Sequence, residues 1–284
     1  MAETSLDRLS STPETETESR AGVAKATGVL ALGNVGSRVL GLTREIVLTN
    51  LFGASRAMDA FNYAIIVPKT LYDLLIAGHV NSAIIPVLSE VVTREGQKAL
   101  WQLVSILLSL VTLIVAVLVL ILALFAPQVI ALVSSGSDAA TQALATDVLR
   151  FVSPAMIFLS LFAVLSGTLY ALRQFTLPAL AGVMFNASIV LGTLIFAPPL
   201  QATLNASRIG WMPTRPAEGI RAAAIGWLIG AVVQFLLQLP GLRGAEFRIS
   251  INWRHPAVRR IALLYAPVMS VSYTHLTLPT NREV

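Results

Sequence analysis

The sequence predicts an all-α integral membrane protein, a polytopic helix bundle, and three observations carry that expectation. Of 284 residues, 55% are hydrophobic and only 12% charged, against about 25% charged in an average globular domain. The run Leu103–Ala126 contains no charged residue and is closed by Pro127. About 20 apolar residues are enough for a helix to cross the hydrocarbon core. Apolar runs of comparable length recur along the chain, whereas membrane-barrel strands would alternate over about ten residues. Cysteine is absent, which excludes disulfides, thiolate metal sites and cysteine nucleophiles.

Taken in order, residues 1–21 are polar, acidic and rich in Ser and Thr. They lack the basic start and apolar middle of a signal peptide, so a disordered cytoplasmic tail is expected. Residues 22–271 form the expected transmembrane unit, with about six complete helices and a truncated seventh. The segments run over Gly22–Leu51, Met58–Val92, Leu100–Ala126, Thr141–Leu172, Leu177–Ala197 and Gly219–Leu239, and the seventh begins near Val258. Segment 2 is longer than a span requires and is interrupted by Pro68, Gly78 and Pro86. Proline removes a backbone donor and kinks a membrane helix, which is tolerated where a cavity or neighbour re-satisfies the backbone. The last stretch, Ser272–Val284, turns polar after a run too short to cross. It resembles a translated sequencing-adapter remnant, so a non-native tail is expected at 272–284, with the native protein continuing.

Lys and Arg in the connections set the expected orientation. Arg94 and Lys98 follow segment 2, Arg173 follows segment 4, and Arg243, Arg248, Arg254, Arg259 and Arg260 follow segment 6. The opposite connections carry Arg56 at 53–57, none at 127–140, and Arg208 and Arg215 at 198–218. The N-terminus is therefore expected on the cytoplasmic side. The net charge of +5 belongs to this topology and not to a nucleic-acid footprint, because the basic residues are spread through loops.

Charge inside segment 1 is the first functional signal. Arg38, Arg44 and Glu45 lie in an otherwise apolar run, and a mid-membrane charge costs about 2.5–3.5 kcal/mol even on insertion scales. At 100° per residue the two arginines border one broad face. Glu45 shares the azimuth of Arg38 but lies too far along the axis to pair with it. Arg38 therefore needs a partner outside its own helix: a carboxylate of segment 2, water or an anionic ligand. Gly33, Ser37 and Gly41 repeat every four residues, a pattern that lets two helix backbones approach closely. In segment 2, Lys69 and Asp73 are spaced to pair on one face, and Asp59 suits a helix start. His79 is weak evidence for proton coupling, Asn81 adds a polar group, and Asn186, Gln234 and Gln238 read as interhelical amides. No phosphate loop, metal-ligand cluster or nucleophile–base set is present, so a transporter and not an enzyme is expected.

The stretch SRVLGLTREIVLTNLFGASRAMDAF, then Pro68 and SAIIPVLSE, resembles the start of the MurJ/MviN lipid II flippase family of the multidrug/oligosaccharidyl-lipid/polysaccharide exporter superfamily. The similarity continues through RFVSP, QFTLPALAGVMFNASIV, VVQFLLQLP and APVMSVS, from about Gly22 to Val271. The resemblance implies one lobe of a two-lobed, fourteen-helix transporter with a central cationic cavity and alternating access. The implied cargo is lipid II, an undecaprenyl diphosphate carrying a disaccharide-pentapeptide. The implied substrate-binding residues are Arg38, Arg44 and Asp59, with Ser37 and Glu45 beside them and Lys69, Asp73 and Asn186 as candidate cavity-lining residues. The chain departs from the family pattern at Asp73, where arginine is usual, and at Ala77, where glutamate is usual, which reverses the sign at one cavity position.

The expected function is translocation of lipid II across the bacterial cytoplasmic membrane as part of peptidoglycan biosynthesis. No cofactor, metal or nucleic acid is expected; transport would couple to the membrane potential or an ion gradient. The expected partners are lipid II or a related polyprenyl-diphosphate glycolipid and the surrounding membrane lipids, with the full-length protein a monomer. A flippase for another polyprenyl-linked oligosaccharide would use the same cavity. A cation-coupled drug exporter would favour acidic cavity residues such as Asp59 and Asp73 over Arg38.

Overall fold

The computed structural model describes residues 13–73, 83–196 and 219–264, and these fold into helices joined by short turns. The helices are α1 (Pro13–Phe52), α2 (Arg56–Tyr72), α3 (Ile85–Arg94), α4 (Gln97–Leu124), α5 (Ala126–Val133), α6 (Ala139–Val152), α7 (Ala155–Ala171), α8 (Thr176–Phe196) and α9 (Ile220–Leu236). A 3-10 turn, Leu239–Gly241, follows α9, and residues 256–264 are again helical. Among the described residues four helical stretches are long and apolar enough to cross a membrane: Gln97–Leu124, Ala139–Ala171, Thr176–Phe196 and Ile220–Gly241. The expected count of about six complete spans is thus met by four on length and composition. α1 carries Arg38, Arg44 and Glu45, and α2 has only 17 residues.

Several expected elements differ in detail. α1 begins at Pro13 and takes in the second half of the stretch expected to be a disordered tail. In segment 2 the described residues form α2 and α3, and residues 74–82 lie outside the description. Pro68 sits inside α2, and Pro86 is the second residue of α3. Gly78, His79, Asn81 and Ala77 lie outside the described residues, as do Arg208, Arg215 and the 272–284 tail. The connection expected at 127–140 contains α5, with Pro127 in its first turn. Segment 4 is divided at Ser153–Pro154 into α6 and α7.

α4 presents Leu113, Ile114, Val117, Leu120, Ile121 and Leu124 along one exposed face. An apolar band of that extent is costly in water and at rest against acyl chains. Inside, the packing is close because small residues meet. The stripe on α1 docks on α8: Gly33 against the backbone of Ala179, Ser37 against Gly182, and Gly41 beside Asn186. α8 and α9 meet through Gly192 and Gly226, and Gly230 lies against Phe185. The expected role of the α1 stripe, packing, is what the structure shows.

Ion pairs tie the loops together at two ends. Arg56, the first residue of α2, lies 3.3 Å from Asp138, just before α6. At the other end Glu90 of α3 holds Arg260 at 2.6 Å and Arg94 at 3.0 Å. The Arg56–Asp138 pair joins two connections that the charge pattern assigns to one side, while Glu90–Arg94 lies within α3. Asp138, just outside the span that starts at Ala139, also accepts a hydrogen bond from the Thr141 hydroxyl. That bond first, and Arg56 after it, hold the carboxyl below the ordinary carboxylate range. A pKa lower in the folded state than in the unfolded chain gives stability that is present above the unfolded value and lost as pH falls through the folded one. Asp138→Asn is therefore expected to flatten the acid limb of stability below about pH 4, read as the monodisperse fraction in detergent across an acid titration. Identical acid limbs for the variant and the parent would refute that assignment.

Candidate functional site

Arg44 projects from α1 toward α8. Its Nη1 donates to Asn186 Oδ1 at 3.1 Å, and Nη2 lies 3.5 Å from the Glu45 carboxylate. The Asn186 amide donates in turn to the carbonyl oxygens of Gly182 at 2.9 Å and Ser37 at 3.3 Å, and touches the Ser37 hydroxyl at 3.5 Å. Asn186 is buried, so it fixes α1 to α8 and orients the guanidinium at once. It is an interhelical amide, as expected, and also the partner of the candidate binding arginine.

This group opens onto a cavity of about 250 Å³ between α1, α2, α6, α7, α8 and α9, whose largely apolar wall carries a few polar groups. Arg44, Lys69, Asp73 and Asn186 all line it, with Tyr72 and Gln234 as further polar groups. Lys69, Tyr72 and Asp73 are three and four residues apart, which puts them on one face of α2. Among the described residues no ion pair joins Lys69 to Asp73, so the expected i, i+4 bridge is not made. Both side chains are exposed. Larger clefts, of about 570 and 540 Å³, lie elsewhere, between the start of α4 and the chain after α9. The 250 Å³ cavity is the candidate site because it brings Arg44, Lys69 and Asp73 together beside the buried Asn186.

The other proposed site residues fall outside it. Arg38 is exposed on α1, does not line the cavity, and has no hydrogen-bond or ion-pair partner among the described residues. Neither arginine pairs with a carboxylate of segment 2 among the described residues. Glu45 is exposed and pairs with its neighbour Arg44. Asp59 sits exposed in the first turn of α2, where its charge suits the helix dipole, but Ser55 is the N-cap and no side-chain cap bond is made. Sequence reasoning missed Tyr72, Phe185 and Trp227 as cavity walls. The signal for Trp227 was its spacing of seven from Gln234, which returns to the same helix face; Trp227 also packs edge-on against Phe185 and Phe61.

The family model described as lipid II flippase MurJ matches residues 48–284. The chain belongs to the MurJ lipid II flippase family. A lipid II flippase MurJ of Burkholderia cenocepacia is 32% identical over 257 residues, 87% of this chain and 47% of that protein. A probable lipid II flippase MurJ of Synechocystis is 28% identical over 91% of this chain and 48% of its own length. One from Vibrio cholerae is 30% identical over 85% and 45%. The chain thus spans about half the length of the curated relatives it matches. A solved structure titled lipid II flippase MurJ, inward closed conformation, superposes with a TM-score of 0.66 at 23% identity, covering 87% of this chain and 48% of that one; at that identity the likeness concerns the fold. The family match begins after Arg38 and Arg44 and includes Asp59, Lys69, Asp73 and Asn186. Members of this family are transporters, and the apolar helices make this chain an integral membrane protein.

Proposed function

We propose that this chain is the N-terminal lobe of a two-lobed flippase that carries lipid II across the cytoplasmic membrane by alternating access. The observation that supports it is the pairing of family membership with a cavity whose wall carries Arg44 and Lys69 inside a membrane bundle. A guanidinium stays charged and donates two parallel bonds, which suits a diphosphate. Arg38 lies about 9 Å further along α1, placed to meet a second part of the same anion or the opposing lobe. At about 250 Å³ the cavity falls below the roughly 300–1,000 Å³ of pockets that enclose drug-sized ligands. A disaccharide-pentapeptide therefore needs a second wall, which the remaining half of the protein would supply.

We assign the N-terminus to the cytoplasm because five arginines, Arg243, Arg248, Arg254, Arg259 and Arg260, fall in the connection after the sixth apolar segment, the side that the basic-loop rule makes cytoplasmic. The reading requires no covalent chemistry; coupling to the membrane potential or an ion gradient drives the cycle, and one polypeptide suffices. Its test is complementation. The full-length protein containing this chain should restore growth and lipid II translocation to cells depleted of their own flippase. Growth failure despite normal membrane levels would overturn it.

A further inference from the structure

We propose that residues 247–251 and the first turns of α4 form a binding site for one anionic phospholipid, with its phosphate near Lys98 and Arg248 and an acyl chain along Phe247, Ile249 and Ile251. The site is distinct from the Arg44 cavity and does not depend on what the protein transports.

After the 3-10 turn the chain leaves helical structure and runs extended beside α4. The backbone N–H of Arg248 donates to Ser105 Oγ at 3.2 Å and that of Ser250 to Ser109 Oγ at 3.1 Å. Each serine spends its own hydrogen on the carbonyl one turn back, Ser105 on Trp101 and Ser109 on Ser105, which leaves lone pairs for the incoming N–H groups. The spacing fits: two extended residues rise about 6.6 Å and four helical residues about 6 Å. Phe247 adds an edge-on contact to Trp101, with ring centroids 6.0 Å apart. The segment is therefore a docked strap.

An extended strap divides its side chains between two sides, and here the sides differ in chemistry. Phe247, Ile249 and Ile251 border a cleft of about 540 Å³ with Leu108 and Leu113, and Arg248 borders both this cleft and the next. Lys98, Gln102, Arg248 and Ser250 border a polar cleft of about 570 Å³. An apolar cleft beside a cationic one, on the outside of a membrane bundle, matches the two halves of an anionic phospholipid. Glu246 also lines the polar cleft, 3.7 Å from Arg248, and offsets part of its charge; Lys98 is left to attract the phosphate.

The backbone sets the depth. The N–H groups of Phe247, Ile249 and Ile251 have no partner among the described residues, and hydrocarbon does not accept open strand edges. The strap thus lies at the water–lipid boundary, where Trp residues such as Trp253 are favoured. Ile249 is 95% exposed and Trp253 65%, apolar area that water would penalise and acyl chains would cover. Arg254 stacks over the Trp253 ring at 5.0 Å and adds a second basic group at that level.

The test uses the full-length protein with native cysteines replaced and Ile249→Cys carrying a fluorophore, in phosphatidylcholine vesicles containing brominated phosphatidylglycerol or brominated phosphatidylcholine at equal mole fraction. Brominated phosphatidylglycerol is expected to quench the label preferentially. Lys98→Gln with Arg248→Gln should lower that preference by about fivefold for each charge removed. A label at Leu124, at the far end of α4, should show no preference, which controls for a general enrichment of anionic lipid. Both mutated side chains are exposed, so the variant should remain monodisperse. Equal quenching by the two lipids at Ile249, or a preference that survives the double substitution, would overturn the proposal.

Discussion

Arg44→Ala in the full-length protein is expected to abolish complementation of flippase-depleted cells while leaving the membrane level of the protein near normal. Removing one partner of a desolvated, hydrogen-bonded charge typically costs 2–5 kcal/mol, so transport should fall by about 30-fold or more. Arg44→Lys should recover part of the loss, because it keeps the charge and gives up the planar fork. The competing account is that Arg44 serves only to hold Asn186, to which it donates at 3.1 Å. On that account the variant would lose folded protein and not transport per molecule. Scoring level and transport together separates the two, and full transport by Arg44→Ala would remove Arg44 from the binding wall. Arg38→Ala is expected to follow Arg44→Ala in transport with less effect on folding, since Arg38 has no partner among the described residues.

A large stability effect is expected at Gly192. A Cβ there would stand 2.6 Å from the Gly226 Cα and 3.7 Å from the Ala222 carbonyl oxygen. The obstacle is backbone, which cannot rotate away, so Gly192→Val must part α8 from α9. Overpacking a well-filled core costs typically 1–3 kcal/mol, occasionally more, and a backbone–backbone contact belongs at the upper end. The thermal midpoint of the monodisperse protein in detergent should fall by several degrees or folded yield should be lost. Two glycines of α1 calibrate the measurement. A Cβ on Gly36 meets only the tip of Val183 at 3.1 Å, and one on Gly28 meets nothing within 4 Å. Gly36→Ala should therefore be mild, and Gly28→Ala neutral or slightly stabilising through helix propensity. A Gly192→Val protein as stable as the parent would mean that α8 and α9 do not pack as described.

Hydropathy made α4, α8 and α9 legible, because length and apolarity alone commit a run to the bilayer. It did not reveal the helix boundary inside segment 4, where Pro154 is compatible with either a kink or a break. α5 was hidden for a related reason: Pro127 reads as a terminator, yet it is equally suited to a first helical turn. The packing stripe on α1 was legible from its period, since a four-residue repeat of small side chains serves close approach whatever the partner. That the partner is α8, and the acceptor for Arg44 is Asn186, was not. A single sequence carries no pairing information between residues 142 apart. The same limit explains Lys69 and Asp73: their spacing allows a bridge, but both face a shared cavity whose other walls come from distant helices.

The α1–α8 lock has a consequence for biosynthesis. α1 emerges well before the residues it must seat against, Ala179, Gly182 and Asn186. At about 5–20 residues per second, the 142 residues between Arg44 and Asn186 take on the order of ten seconds to synthesise. Throughout that interval a helix bearing Arg38 and Arg44 sits in or beside the insertion machinery with its glycine face bare and its guanidinium without the amide that later receives it. A helix made before α8 is thus placed only after α8 exists, and whatever shelters it until then governs the yield of correctly assembled protein.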